Sequence, residues 1–154
     1  MKRRIFLKGS LATGAVGMAV STGLLAPRMS LAAWSKAAFE AKDVNSAVSA
    51  LYGAGSMTDS DKIKIKAPDI AENGAVVPVS VTTSLDGASS ISIIADKNAT
   101  PLTAEFTLGP TTEGYVSTRI KMGKTANVIA VVKAGDKLYS AKKEVKVTIG
   151  GCGG

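Results

Sequence analysis

From Lys62 onward the chain keeps a period of two. Lys62-Ile63-Lys64-Ile65-Lys66 alternates charged and apolar residues, the mark of a strand with one wet face and one buried face. The same period continues over 75–85, with Val77, Val79 and Val81 on one face. Pro78 lies inside that run; it cannot donate to a ladder and so indicates an edge position. Further strands are predicted over 90–95, 103–108, 115–121, 126–133 and 137–149. Turn chemistry separates most of them: Asp86-Gly87, Asp96-Lys97-Asn98, Gly109-Pro110, Glu113-Gly114, Met122-Gly123 and Gly135-Asp136. Residues 127–132, Asn-Val-Ile-Ala-Val-Val, are apolar almost without a break, which suits a core strand better than an interface. Before Lys62 one segment reads as a helix. Val44, Ala47, Val48, Leu51 and Tyr52 recur at helical spacing, Asp43 or Asn45 can cap it, and Gly53 ends it; it is expected to pack as an N-terminal flank.

Seven short strands at this spacing predict an all-β fold: an antiparallel immunoglobulin-like sandwich with a short N-terminal helix and a flexible C-terminal tail. A small β-barrel is the competing architecture. The inter-sheet disulfide common in immunoglobulin domains is excluded, because Cys152 is the only cysteine.

The first residues obey a different rule. Met1-Lys2-Arg3-Arg4-Ile5-Phe6-Leu7-Lys8 is basic, an apolar stretch rich in small residues follows from Gly9 to Ala26, and Ser30-Leu31-Ala32-Ala33 offers a small-x-small cleavage site. That order is a secretory signal peptide, and the paired arginines before Ile-Phe-Leu-Lys match the twin-arginine pattern. Gly9, Gly14, Gly17 and Gly23 dilute the apolar stretch too far for a good spanning helix. The predicted division is therefore 1–32 signal peptide, 33–149 folded domain and 150–154 flexible arm, with export to the bacterial periplasm. The formal charge of +7 is mostly leader: without its five basic residues, 14 basic face 12 acidic residues. A net charge this small gives no sign of a phosphate-binding surface.

The chain closes Ile149-Gly150-Gly151-Cys152-Gly153-Gly154. A lone thiol between two diglycines has nothing to pack against, and glycine loses the most entropy on ordering, so a mobile tail is expected. With no histidine in the chain, no Ser-His-Asp or Cys-His pair and no imidazole metal or haem ligand can form. One cysteine makes no CxxC motif, iron–sulfur site or structural zinc site, and no glycine-rich loop joins a strand to a helix. Asp59 and Asp61 read as a solvated turn before a strand. No basic residue lies within five positions of Cys152, and the terminal carboxylate disfavours its thiolate. Activation is therefore expected from whatever cleft the tail enters: a covalent attachment point with no catalytic residue, cofactor or metal of its own. The thiol must be intermolecular or reactive in an oxidising compartment.

A Gly-Gly-Cys-Gly-Gly terminus behind a β-rich domain and a twin-arginine leader resembles the SoxY family, the sulfur carriers of bacterial thiosulfate oxidation. The likeness includes the Trp34-Ser35-Lys36-Ala37-Ala38-Phe39-Glu40 start and the Leu51-Tyr52-Gly53 helix end. The resemblance implies an immunoglobulin-like fold and pathway intermediates carried covalently on Cys152. It also implies a heterodimer with SoxZ and visits to three partners. SoxXA, a haem c enzyme, would couple thiosulfate to the thiol; SoxB, a metal-dependent hydrolase, would release sulfate; where present, SoxCD, a molybdenum enzyme, would oxidise the remaining sulfur.

Two other readings stay open at this level. Ubiquitin-like carriers hold sulfur as a thiocarboxylate on a terminal glycine, here Gly154. Alternatively, Cys152 makes an intermolecular disulfide in an immunoglobulin-like periplasmic module. Prenylation is excluded, because two residues rather than three follow Cys152.

Overall fold

The computed structural model of the chain describes residues 34–53 and 55–148, and those from Ser35 onward belong to one compact unit. Two helices come first: α1 (Lys36–Glu40) and α2 (Val44–Tyr52). Asp43 caps α2, its Oδ1 accepting from Ser46 N at 2.8 Å and so satisfying an amide that a helix start leaves unpaired. The side-chain and backbone hydrogen bonds from Ser46 hold the Asp43 carboxyl below its ordinary pKa. Gly53 stops α2 in the left-handed region at φ 73°, its N–H on Ser49 O at 2.8 Å. The pattern does not announce α1, since five residues are too few to show a helical period.

The strands are β1 (Thr58–Asp59), β2 (Ile63–Lys66), β3 (Ile70–Ala71), β4 (Val77–Thr83), β5 (Ala88–Ala95), β6 (Leu102–Thr107), β7 (Tyr115–Ile120), β8 (Ala126–Ala134) and β9 (Lys137–Val147). Seven match the predicted runs to within a few residues; β1 and β3 are additional. The larger sheet runs β1-β9-β8-β5-β6, with β3 also on β9, and the smaller runs β2-β4-β7. All pairings are antiparallel except β1 and β3, which lie parallel to the beginning and the end of β9. The fold is thus the expected all-β sandwich, with two short parallel additions. Asp59 belongs to β1 rather than to a solvated turn, and its Oδ1 accepts from Ser140 Oγ at 3.0 Å.

Between the sheets lies the main core: Val77, Val79 and Val81 of β4 face Ile91 and Ile93 of β5 and Val128, Ala130 and Val132 of β8. The outer face of the larger sheet is also covered. Ile94, Leu102, Val131 and Leu138 pack beneath Ala38, Ala47 and Val48 of the helices. This explains the unbroken apolar run at 127–132: both faces of β8 are buried, so no alternation survives. One polar knot sits in this layer. Tyr52 OH shares a 2.5 Å hydrogen bond with Ser92 Oγ and accepts from Ser90 Oγ at 3.1 Å. Burial pushes the Tyr52 hydroxyl pKa up.

Pro78 corrects one expectation. Its strand, β4, is the centre of the smaller sheet, not an edge. Yet β2 stops at Lys66 opposite Ser80, so position 78 has a neighbour only on β7, opposite Arg119. The missing N–H is tolerated because the edge is local to that residue.

Candidate functional site: the root of the C-terminal arm

β9 is the longest strand, and its last described residues are held from three sides. Lys146 N donates to Asp69 O at 2.9 Å and Thr148 N to Ala71 O at 3.1 Å, which continues the β3 pairing. Val147 N donates to Thr125 Oγ1 at 3.0 Å. Behind them, Gly74 approaches so closely that a Cβ there would collide with Met122 O and press on Val147 Cγ1. Lys143 Nζ reaches across to Asp69 Oδ1 at 3.0 Å and donates to Ala67 O at 2.7 Å. Whatever follows Thr148 is therefore hung from a strand anchored in both directions.

Gly150, Gly151, Cys152, Gly153 and Gly154 lie outside the described residues, as does the predicted signal peptide at 1–32. Their expected roles rest on the sequence. Covalent geometry sets one bound: Cys152, four residues beyond Thr148, stands within about 14 Å of it at full extension.

Beside this root the structure brings together residues that the sequence reading did not. The β5–β6 turn and the segment after β7 form an open cleft of about 500 Å³ lined by Lys97, Asn98, Ala99, Thr100, Lys121, Gly123 and Lys124. Asn98 clamps its two walls, donating from Nδ2 to Lys121 O at 2.7 Å and accepting Gly123 N–H on Oδ1 at 3.1 Å. Lys124 directly precedes Thr125, the residue bonded to Val147. The small net charge of the domain concealed this cluster, because the lysines come from two connections more than twenty residues apart in sequence. The one available signal was a lysine inside one predicted turn, Asp96-Lys97-Asn98, and lysines on both sides of another, Met122-Gly123.

Comparison with known proteins agrees with this architecture. Residues 48–152 match the family described as "Sulfur oxidation protein SoxY". The chain belongs to the SoxY family. A solved structure of the sulfur carrier protein SoxY from Chlorobium limicola f thiosulfatophilum is similar with a TM-score of 0.64 and 48% identity, covering 75% of this chain and all of that one. No curated protein matches. Family membership brings with it the sulfur-carrier role in sulfur oxidation and the context of the Sox system.

Proposed function

We propose that this member of the SoxY family is a non-enzymatic, periplasmic carrier that holds thiosulfate-derived intermediates on Cys152 and presents them to partner enzymes. The observation that carries this reading is the junction just described. A strand pinned by β3, β8 and Thr125 continues into a tail whose only side chain beyond Ile149 is one thiol between diglycines. The family match extends through Cys152. Glycines on both sides remove the Cβ atoms that would obstruct entry into a narrow channel.

The chemistry is written by its balance. Coupling thiosulfate to the Cys152 thiol would form one S–S bond, release the thiol proton and pass two electrons, one at a time, to a partner's haem c centre. Water then cleaves the terminal S–S bond of the S-thiosulfonate, leaving a persulfide on Cys152 and releasing hydrogen sulfate. Tethering keeps each intermediate at high local concentration for the next enzyme. The partners are SoxZ as a stable companion and SoxXA, SoxB and, where present, SoxCD as visitors. Export follows the twin-arginine leader as a folded pair.

Intact mass spectrometry tests the reading. The mature protein, incubated with its companion, thiosulfate and a cytochrome fraction, is expected to gain sulfur-containing adducts that are lost with reductant and absent in Cys152→Ser. Adducts that persist in that variant would move the chemistry to Gly154. A doubled mass without sulfur adducts would favour an intermolecular disulfide.

A further inference from the structure

We infer that the cleft between the β5–β6 turn and the segment after β7 is a binding site for sulfur oxyanions. Its ligand is thiosulfate or the chemically equivalent sulfonate end of an adduct on Cys152; the tethered case rests on the carrier reading above. Among the described residues Lys97, Lys121 and Lys124 have no ion-pair partner, and the cleft lining contains no carboxylate. The nearest acid in sequence, Asp96, is outside the lining and engaged elsewhere: its two oxygens accept from Asn127 N and Asn127 Nδ2, each at 2.9 Å. All three lysines line the one opening; like charges that share it repel one another, and that cost is relieved when an anion enters.

The lining suits this ligand class. Lysine offers a compact charge with three rotatable donors, which accommodates a tetrahedral oxyanion without demanding a planar fork. Thr100 adds a hydroxyl, which can donate. The Asn98 clamp fixes the distance between the walls before any ligand arrives, so binding need not order the loops. The opening is wide, leaving the lysines hydrated, so the site is expected to be weak and to weaken further with salt. Its position matters more than its strength. Val147 is bonded to Thr125, the neighbour of Lys124, so the cleft lies beside the end of β9, and covalent geometry keeps Cys152 within about 14 Å of Thr148. An oxyanion held there keeps the charged end of an adduct against its own carrier between visits.

Two arms of one NMR experiment separate the sources. In the first, mature Cys152→Ser protein is titrated with thiosulfate, sulfate and chloride at matched ionic strength. Saturable amide shifts confined to 97–100 and 121–124 are expected with the oxyanions and not with chloride. Replacing Lys97, Lys121 and Lys124 together by Gln is expected to weaken binding by about tenfold or more while the fold is retained. In the second arm, wild-type protein is treated with tetrathionate. The Cys152 thiolate displaces thiosulfate from it, which leaves an S-thiosulfonate on the protein without any partner enzyme. Once the displaced thiosulfate and the remaining tetrathionate have been removed by desalting, the same amides are expected to move, and added thiosulfate to move them no further. If the adduct forms but these amides stay still in both arms, the cleft proposal fails and the carrier reading stands. If no adduct forms on Cys152 but the first arm saturates, the carrier reading fails and the oxyanion site stands. Shifts of equal size in the Gln variant overturn the site.

Discussion

At the end of the sandwich where β9 finishes, the β4–β7 pairing is prolonged by Met122 N–H on Gly74 O at 2.7 Å; at the opposite end it is prolonged by Thr83 N–H on Gly114 O, also at 2.7 Å. Each end has a glycine whose Cβ would strike the carbonyl of its neighbour, Met122 O in one case and Thr83 O in the other. Each also has an open cleft. The far cleft, about 390 Å³, lies between 83–89 and 108–114; its lining mixes hydroxyls, glycines and apolar residues with one acid, Asp86, and no basic residue. The near one holds three lysines and no acid. The scaffold treats its ends alike; the turn residues do not. A sandwich can therefore carry chemistry at one end without altering the strands that hold both, and net charge is a poor guide to local potential.

The structural likeness is open to the strongest challenge. Gly74→Ala and Gly114→Ala are each expected to lower unfolding free energy by about 1–3 kcal/mol in urea, because backbone must shift in both. A loss at only one end would break the equivalence. Asn98→Ala comes next. It removes the clamp on Lys121 O and Gly123 N and is expected to cost about 1 kcal/mol while also weakening oxyanion binding, read from the same amide titration. Asp86→Asn at the far cleft is expected to leave that titration unchanged, and a change there would remove the functional contrast between the ends.

The smallest effect concerns neither end and serves as a baseline for the measurements. The Asp43 pKa is held down in the folded state by Ser46, so the native protein binds fewer protons than the unfolded chain as pH falls. The stabilisation is present above the unfolded carboxylate pKa of about 4 and disappears below it. Asp43→Ala is expected to lower Tm slightly at neutral pH, and the gap from the parent chain to close as the pH drops under about 4.

Much of the architecture was readable because it is local. Ile63 and Ile65, or Val77, Val79 and Val81, alternate because one face of the smaller sheet meets solvent. Asp43 and Gly53 announce α2 because capping needs a side-chain acceptor at one end and a left-handed residue at the other. What escaped has no local pattern. β1 and β3 are two-residue strands that exist only because β9 presents an unpaired edge, and α1 is one turn stabilised by packing on its neighbours. Pro78 was misplaced for the same reason: whether a residue is at an edge depends on where the neighbouring strand stops.

For the site, the proposed attachment chemistry rests on sequence alone. A single cysteine between diglycines, with no histidine anywhere, leaves the chain one thiol and no imidazole to activate it. Tertiary structure decided what stands beside it. Lys97 and Lys121 line one cleft only because β5 and β7, in different sheets, both finish on the same side of the sandwich, where Asn98 can join their connections, and β9 finishes next to Lys124 through Thr125. Periodicity reports which face of a strand is buried, whereas a charge cluster drawn from separate turns depends on strand order and register, which only the folded sheet sets.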